Sequence, residues 1–337
     1  MIPGLARSLS IRGFIMRFLA LLCLMLLSVL SGTGAALAAG LQFIEVPSAD
    51  GKAPIRAAVW SPCVAAPVET RIGPFVLPAV RDCPVVDGQY PLVVISHGFA
   101  GTYFSHRDMA AALADAGFIV AALNHPGDNA LDMKRAGELS ALTDRPADVV
   151  RLLDHMLANW KEARLIDAGR VGIFGFSRGG YTALVLAGGV PDFANAGLPC
   201  PDEQAALCAQ MRDRGAVPGD RVHDARVKAV VVADPLNVFP GSDDLRNLNI
   251  PVQLWSSERG GDGVAPQDIA RLRDDLPVKP DYRTVTGAGH FSFITPCPAE
   301  MEKAAPQICG DIPGFDRAEF HRSFNADVVR FFKASLR

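Results

Sequence analysis

The chain has 337 residues, a formal net charge of −3, 49% apolar residues and 20% charged residues. That length can bury a sizeable core, in one large domain or two small ones, and the composition is ordinarily globular. A mildly acidic chain with no Lys/Arg block lacks the electrostatic footprint of a nucleic-acid binder or of a membrane-surface patch.

Residues 1–38 read as a secretory signal. Arg7, Arg12 and Arg17 precede an apolar run from Phe18 to Leu30, and small residues follow. The run is short for a membrane span, which needs ~20 apolar residues. Ala36-Leu37-Ala38 fits the small-x-small rule and predicts cleavage before Ala39. Met16-Arg17 would also make a conventional signal start. Of the seven cysteines, Cys23 lies in this segment. The other six form local couples: Cys63 with Cys83, Cys200 with Cys208, and Cys297 with Cys309. Sequence alone does not fix the connectivity. Nearest-neighbour pairing is the expectation for an oxidising compartment, because a zinc site wants C-x-x-C spacing and His partners.

From residue 39 the chain reads as one domain. Residues 41–46 and 55–60 predict an antiparallel pair of strands. Helix 105–116 follows strand 91–96 and ends at Gly117, a fitting cap. After strand 118–124 comes a helix over 145–160, with Pro146 in its first turn where a missing N–H costs little. Strands follow at 170–175, 227–233, 251–257 and 282–286, with helices at 265–275 and 316–336. Phe320, Phe324, Val328 and Phe331 recur at helical spacing and read as core. The alternation predicts an α/β fold: a mostly parallel sheet of about eight strands with helices on both faces. Two long excursions, 61–90 and 190–225, interrupt it and are expected to form the rim or lid of a site.

Three segments, with an acid from elsewhere in the chain, carry chemistry. Residues 170–180, R-V-G-I-F-G-F-S-R-G-G, run a buried strand through G-x-S-x-G into an Ala/Leu-rich helix. That is the setting of a nucleophile elbow, which exposes the serine oxygen, here that of Ser177. Residues 91–101, P-L-V-V-I-S-H-G-F-A-G, end a strand in a loop that supplies one oxyanion donor, the N–H of Phe99. The N–H of Arg178 would be the second. His97 reads as structural, holding that loop by hydrogen bonds. Residues 286–293, T-G-A-G-H-F-S-F, follow the last strand and offer His290 as general base. His106, His125, His155, His223 and His321 lack such a context. The acid stays open among Asp262, Asp234 and Glu258. Asp262 is narrowly preferred, because a loop between strand and helix bends more freely than a strand end followed by Pro235.

Taken together, I-S-H-G-F-A-G-T-Y-F-S-H, G-F-I-V-A-A-L-N-H-P-G-D, G-F-S-R-G-G and A-D-P-L-N-V-F-P resemble the dienelactone-hydrolase-like and platelet-activating-factor acetylhydrolase-like serine esterases. The resemblance spans most of residues 90–295. It implies the α/β-hydrolase fold, with Ser177 and His290 in a Ser-His-Asp triad, and the acetylhydrolase pattern favours Asp234. Polyester-cleaving cutinases are similar more weakly, and their pattern favours Asp262. Dienelactone hydrolases carry a cysteine nucleophile where this chain has Ser177, which argues against dienelactones as substrate. The expectation is an exported hydrolase of small or lipid-like carboxylic esters, working through an acyl-enzyme with no metal or organic cofactor. A peptidase on this fold usually brings a large added domain, and an inactive binding protein would be expected to have lost Ser177 or His290.

Overall fold

Strand residues that alternate between two apolar faces, together with helices that each bury one stripe, dictate a covered sheet. The computed structural model describes residue 1 and residues 38–49, 51–66, 68–198, 206–213 and 222–337. The expected signal thus lies almost wholly outside the described residues, and so does Cys200. From residue 37 onward the chain forms one compact unit.

In chain order the unit runs β1 (Ala38–Val46), β2 (Ile55–Cys63), β3 (Glu69–Ile72), β4 (Phe75–Arg81), β5 (Tyr90–Ser96), α1 (Arg107–Asp115) and β6 (Ile119–Leu123). There follow α2 (Leu139–Thr143), α3 (Arg145–Ala158), β7 (Ile166–Phe176), α4 (Arg178–Leu186), α5 (Ala206–Arg212) and β8 (Val227–Ala233). The chain closes with β9 (Val252–Ser257), α6 (Pro266–Asp275), β10 (Asp281–Val285), α7 (Ala299–Ala304), α8 (Pro306–Cys309) and α9 (Arg317–Ser335).

The strands make one sheet in the order β10-β9-β8-β7-β5-β6-β2-β1-β4-β3. Strands β5 to β10 are mutually parallel. β2 joins them antiparallel, and β1 pairs antiparallel with β2, with Leu41 opposite Trp60. Among the described residues ten strands replace the expected eight or so. The difference is the 61–90 excursion, which folds into the β3–β4 hairpin and adds to the edge through a parallel β4–β1 pairing. The Cys63–Cys83 disulfide spans its base.

Each face has its own core. In β5, Leu92 and Val94 belong to a core shared with residues of α3, α4 and α6, whereas Val93 and Ile95 belong to one shared with residues of α1 and α9. Burying a Val or Ile side chain completely stabilises the fold by about 1.5–3 kcal/mol. On α9 the buried stripe is Phe324, Val328 and Phe332, while Phe331 and Phe320 are half-buried. A strict four-residue step explains the exchange of Phe332 for Phe331. No described helix is long and apolar enough to cross a membrane.

Candidate active site

At the carboxyl end of β7 the chain turns abruptly into α4, and Ser177 occupies the turn with φ +54° and ψ −118°. A positive φ in a residue with a side chain costs of order 1–3 kcal/mol, so the surroundings must enforce it. They do. The Ser177 N–H donates to the Ala233 carbonyl at 3.0 Å, and its carbonyl accepts from Gly180 and Leu236 at 2.9 and 3.0 Å. Glycine is obligatory on both sides. A Cβ on Gly175 would lie 2.1 Å from the Gly179 carbonyl oxygen, and one on Gly179 would lie 1.9 Å from that of Ser96.

His290 follows β10 on a loop whose Gly287 has φ +74°. Its backbone N–H donates to the Gly260 carbonyl at 2.8 Å, and its ring lies 4.6 Å from that of Phe176. Nδ1 is 3.1 Å from Asp234 Oδ2, within reach of a charge-assisted hydrogen bond. Nε2 is buried and has no hydrogen-bond partner among the described residues. A buried polar atom of that kind calls for an explanation, and a catalytic role is one. Ser177 and His290 line the same cavity of about 440 Å³.

The acid that meets His290 is Asp234, not the narrowly preferred Asp262. Asp234 directly follows β8, the strand beside β7, and is buried. Its carboxylate also accepts from the Ser257 N–H at 2.7 Å and the Ser257 hydroxyl at 2.5 Å, which aim it at the imidazole. The chain turns at Asp234 itself, which sits at φ +39°, and the Ser257 bonds hold its carboxylate toward the histidine loop. Asp262 reaches the cavity lining, but it is exposed, sits at φ +50° and makes no hydrogen bond with His290. Glu258 Oε2 instead accepts the Gly287 N–H at 2.7 Å. The 258–262 loop therefore braces the histidine loop through Glu258 and the Gly260 carbonyl.

Opposite the turn, Gly98 backs directly onto Ser177: an added Cβ there would lie 3.1 Å from its Cβ. Phe99 follows, with its ring 4.3 Å beneath the Arg178 guanidinium. Arg178 is the first residue of α4, so its N–H is one of the donors a helix leaves unpaired. His97 is buried; its Nδ1 lies 2.6 Å from the Gly98 carbonyl, and its Nε2 lies 3.3 Å from the His125 N–H. One donor and one acceptor define a neutral ring, and burial, with Arg145 nearby, pushes its pKa well below the usual range.

Two other histidines meet carboxylates. His125 lies between Ser96 Oγ at 2.9 Å and Asp148 Oδ2 at 3.1 Å. Ser96 is wholly buried and does not line the cavity, so this Ser-His-Asp chain does not open into it. His321 bridges Asp108 and the Ser292 carbonyl, which ties α9 to α1 and to the histidine loop.

The cavity wall is mostly apolar. Phe75 and Phe104 contribute on one side, and Phe291, Ile294, Met301 and Ile308 on another. Only the tip of the 61–90 excursion, Pro74 and Phe75, reaches it. The described part of 190–225 does not: Asn195 to Leu198 line a separate cavity with Pro235 and Asp268. The segment that does wall the site, with Met301 and Ile308 held across the Cys297–Cys309 disulfide, is one that loop length alone did not single out. Its cysteine couple was the available signal. Cys208 is also disulfide-bonded.

The dienelactone hydrolase family model matches residues 78–199, a stretch that contains Gly98 and Ser177 but ends before Asp234 and His290. No curated protein matches the chain. Among solved structures, a ferulic acid esterase from Streptomyces cinnamoneus is similar, at 21% identity over 91% of this chain and 92% of that one, with a TM-score of 0.64. A dienelactone hydrolase from Anabaena variabilis matches at 15% identity over 89% of this chain and 100% of that one, with a TM-score of 0.51. The chain has the α/β-hydrolase fold.

Proposed function

We propose that the protein is an exported serine hydrolase of carboxylic esters. The observation that carries this reading is the buried, unpartnered Nε2 of His290 lining the cavity of Ser177, while Nδ1 faces Asp234. With Nδ1–H donating to the carboxylate, Nε2 is an acceptor for the Ser177 proton. Ser177 Oγ attacks the ester carbonyl, its proton passes to His290, and the carbonyl electron pair moves onto oxygen. The N–H groups of Phe99 and Arg178 receive that oxyanion. Collapse expels the alcohol, which takes the proton from His290, and water repeats the sequence on the acyl-enzyme. Asp234 holds the tautomer and stabilises the imidazolium.

The largely apolar wall suits an ester with an uncharged, apolar portion. Of the charged residues lining it, Arg107 is held by the Phe104 and Pro296 carbonyls and stacks on Phe75. A series of p-nitrophenyl esters of increasing chain length tests the reading, with a fluorophosphonate probe to mark the nucleophile. Turnover with labelling at Ser177 is expected. Absence of turnover across the series, or a label elsewhere, would refute it.

Export rests on the signal-like residues 1–38 and on the disulfides of the folded unit. The exported form is expected to begin near Ala39 with no free thiol. Intact mass before and after reduction and alkylation checks this. A full-length protein whose cysteines all alkylate without reduction would contradict it.

A further inference from the structure

Behind the proposed oxyanion site lies a wholly buried cation that the reaction as written does not use. Arg145, the first residue of α3, has no exposed side-chain surface. Its Nε donates to Asp128 Oδ2 at 2.8 Å, its Nη1 to the His97 carbonyl at 2.6 Å and its Nη2 to the Gly98 carbonyl at 3.2 Å. Asp128 is itself buried and also takes the Arg178 guanidinium at 3.2 Å. One carboxylate thus joins the guanidinium behind the loop to the side chain of the residue after Ser177.

The peptide plane supplies the consequence. The unit between Gly98 and Phe99 is trans, so its C=O and N–H point in opposite directions. The Gly98 carbonyl receives Arg145 Nη2, His97 Nδ1–H and the Gly101 N–H, the last at 3.2 Å. With the carbonyl pinned from behind, the Phe99 N–H is turned away from Arg145, on a loop whose Gly98 and Phe99 line the cavity beside Ser177. A cation on the carbonyl of a peptide unit also polarises that unit, which strengthens its N–H as a donor. Burying a guanidinium is costly, and a loop that only needed a fixed shape could be held by neutral donors.

We infer that Arg145 is a positioning residue for the oxyanion: by holding the carbonyls of His97 and Gly98, it presets and polarises the Phe99 N–H. This deepens, and rests on, the ester-hydrolase reading. Because the Phe99 N–H meets full negative charge only in the tetrahedral state, its loss should act on that state and not on substrate binding.

The test compares wild type with Arg145→Met and Arg145→Lys. The lysine variant keeps a charge opposite Asp128 and so protects folding, but one nitrogen cannot span both carbonyls and the carboxylate. Two quantities are read in each folded variant: kcat and KM on p-nitrophenyl acetate, and the inhibition constant of a trifluoromethyl ketone. Ser177 Oγ adds to the ketone carbon, its proton goes to His290, and the carbonyl pair becomes an oxyanion in the same hole. The expected result is a loss of about 10²-fold in kcat, the scale of one oxyanion donor, with a parallel rise in the ketone constant and little change in KM. Unchanged kcat and ketone affinity, or a loss carried by KM with ketone affinity retained, would overturn the inference. A wild-type protein that neither turns over esters nor binds the ketone would instead sink the ester-hydrolase reading itself.

Discussion

Ser177→Ala and His290→Ala are each expected to lower kcat on p-nitrophenyl esters by roughly 10⁶-fold, the scale of single losses from a unit of this kind, with the melting temperature changed little. In the proposed mechanism the two groups do one job. Ser177 without an acceptor for its proton is a weak nucleophile, and His290 without Ser177 has nothing to activate but water. The double variant should therefore lose no more than either single one. Folding should survive, because Ser177 contributes only a hydroxyl to a turn held by backbone hydrogen bonds to the Ala233 carbonyl and from the Gly180 and Leu236 N–H groups. His290→Ala leaves Asp234 with its two bonds to Ser257, so no buried carboxylate is left unpaired. Steady-state kinetics and thermal melts on the three variants decide the matter. Additive losses in the double variant, or substantial turnover by Ser177→Ala, would mean that the two residues do not act together.

The parts of the candidate site written as local patterns were legible in the sequence. A nucleophile elbow needs a strand, two glycines and a helix within one short stretch, and 170–180 contains all of them in order. The loop after β5 and the histidine loop after β10 are equally local. What was not legible depends on which strands become neighbours. Asp234 and Asp262 both follow strands in the right part of the chain, and flexibility of the segment does not tell which of them meets His290. The sheet order puts β8 beside β7 and lets Ser257, from β9, orient Asp234. Arg145 and Asp128 lie far from Ser177 in sequence, and only the fold brings them behind the loop that follows β5. The N-H-P-G-D run at 124–128 contained Asp128, but nothing local marked its carboxylate as shared by two arginines. The cavity wall shows the same limit. Length and proline content drew attention to 61–90 and 190–225, whereas Met301 and Ile308 come from a shorter, disulfide-closed segment.

Replacing Asp234 by asparagine should cost about 10⁴-fold in kcat, and the same change at Asp262 almost nothing. In Asp234→Asn the side chain keeps its shape, and its carbonyl oxygen can still accept from the Ser257 N–H, the 2.7 Å bond that fixes its position. The amide nitrogen then faces His290 Nδ1 as a donor where a carboxylate accepted. The imidazole must answer by moving its proton to Nε2, the atom that has to receive the Ser177 proton. Catalysis stops for want of an acceptor, not for want of structure, so the melting temperature should move far less than the rate. Asp262 offers no such coupling. Its exposed carboxylate makes no bond to His290, and the loop that carries it acts through the Gly260 carbonyl and Glu258, which the substitution leaves in place. Measuring kcat and kcat/KM for both asparagine variants on one ester separates the two acids. Near-wild-type rates for Asp234→Asn with collapse of Asp262→Asn would show that the hydrogen bond seen here is not the catalytic one.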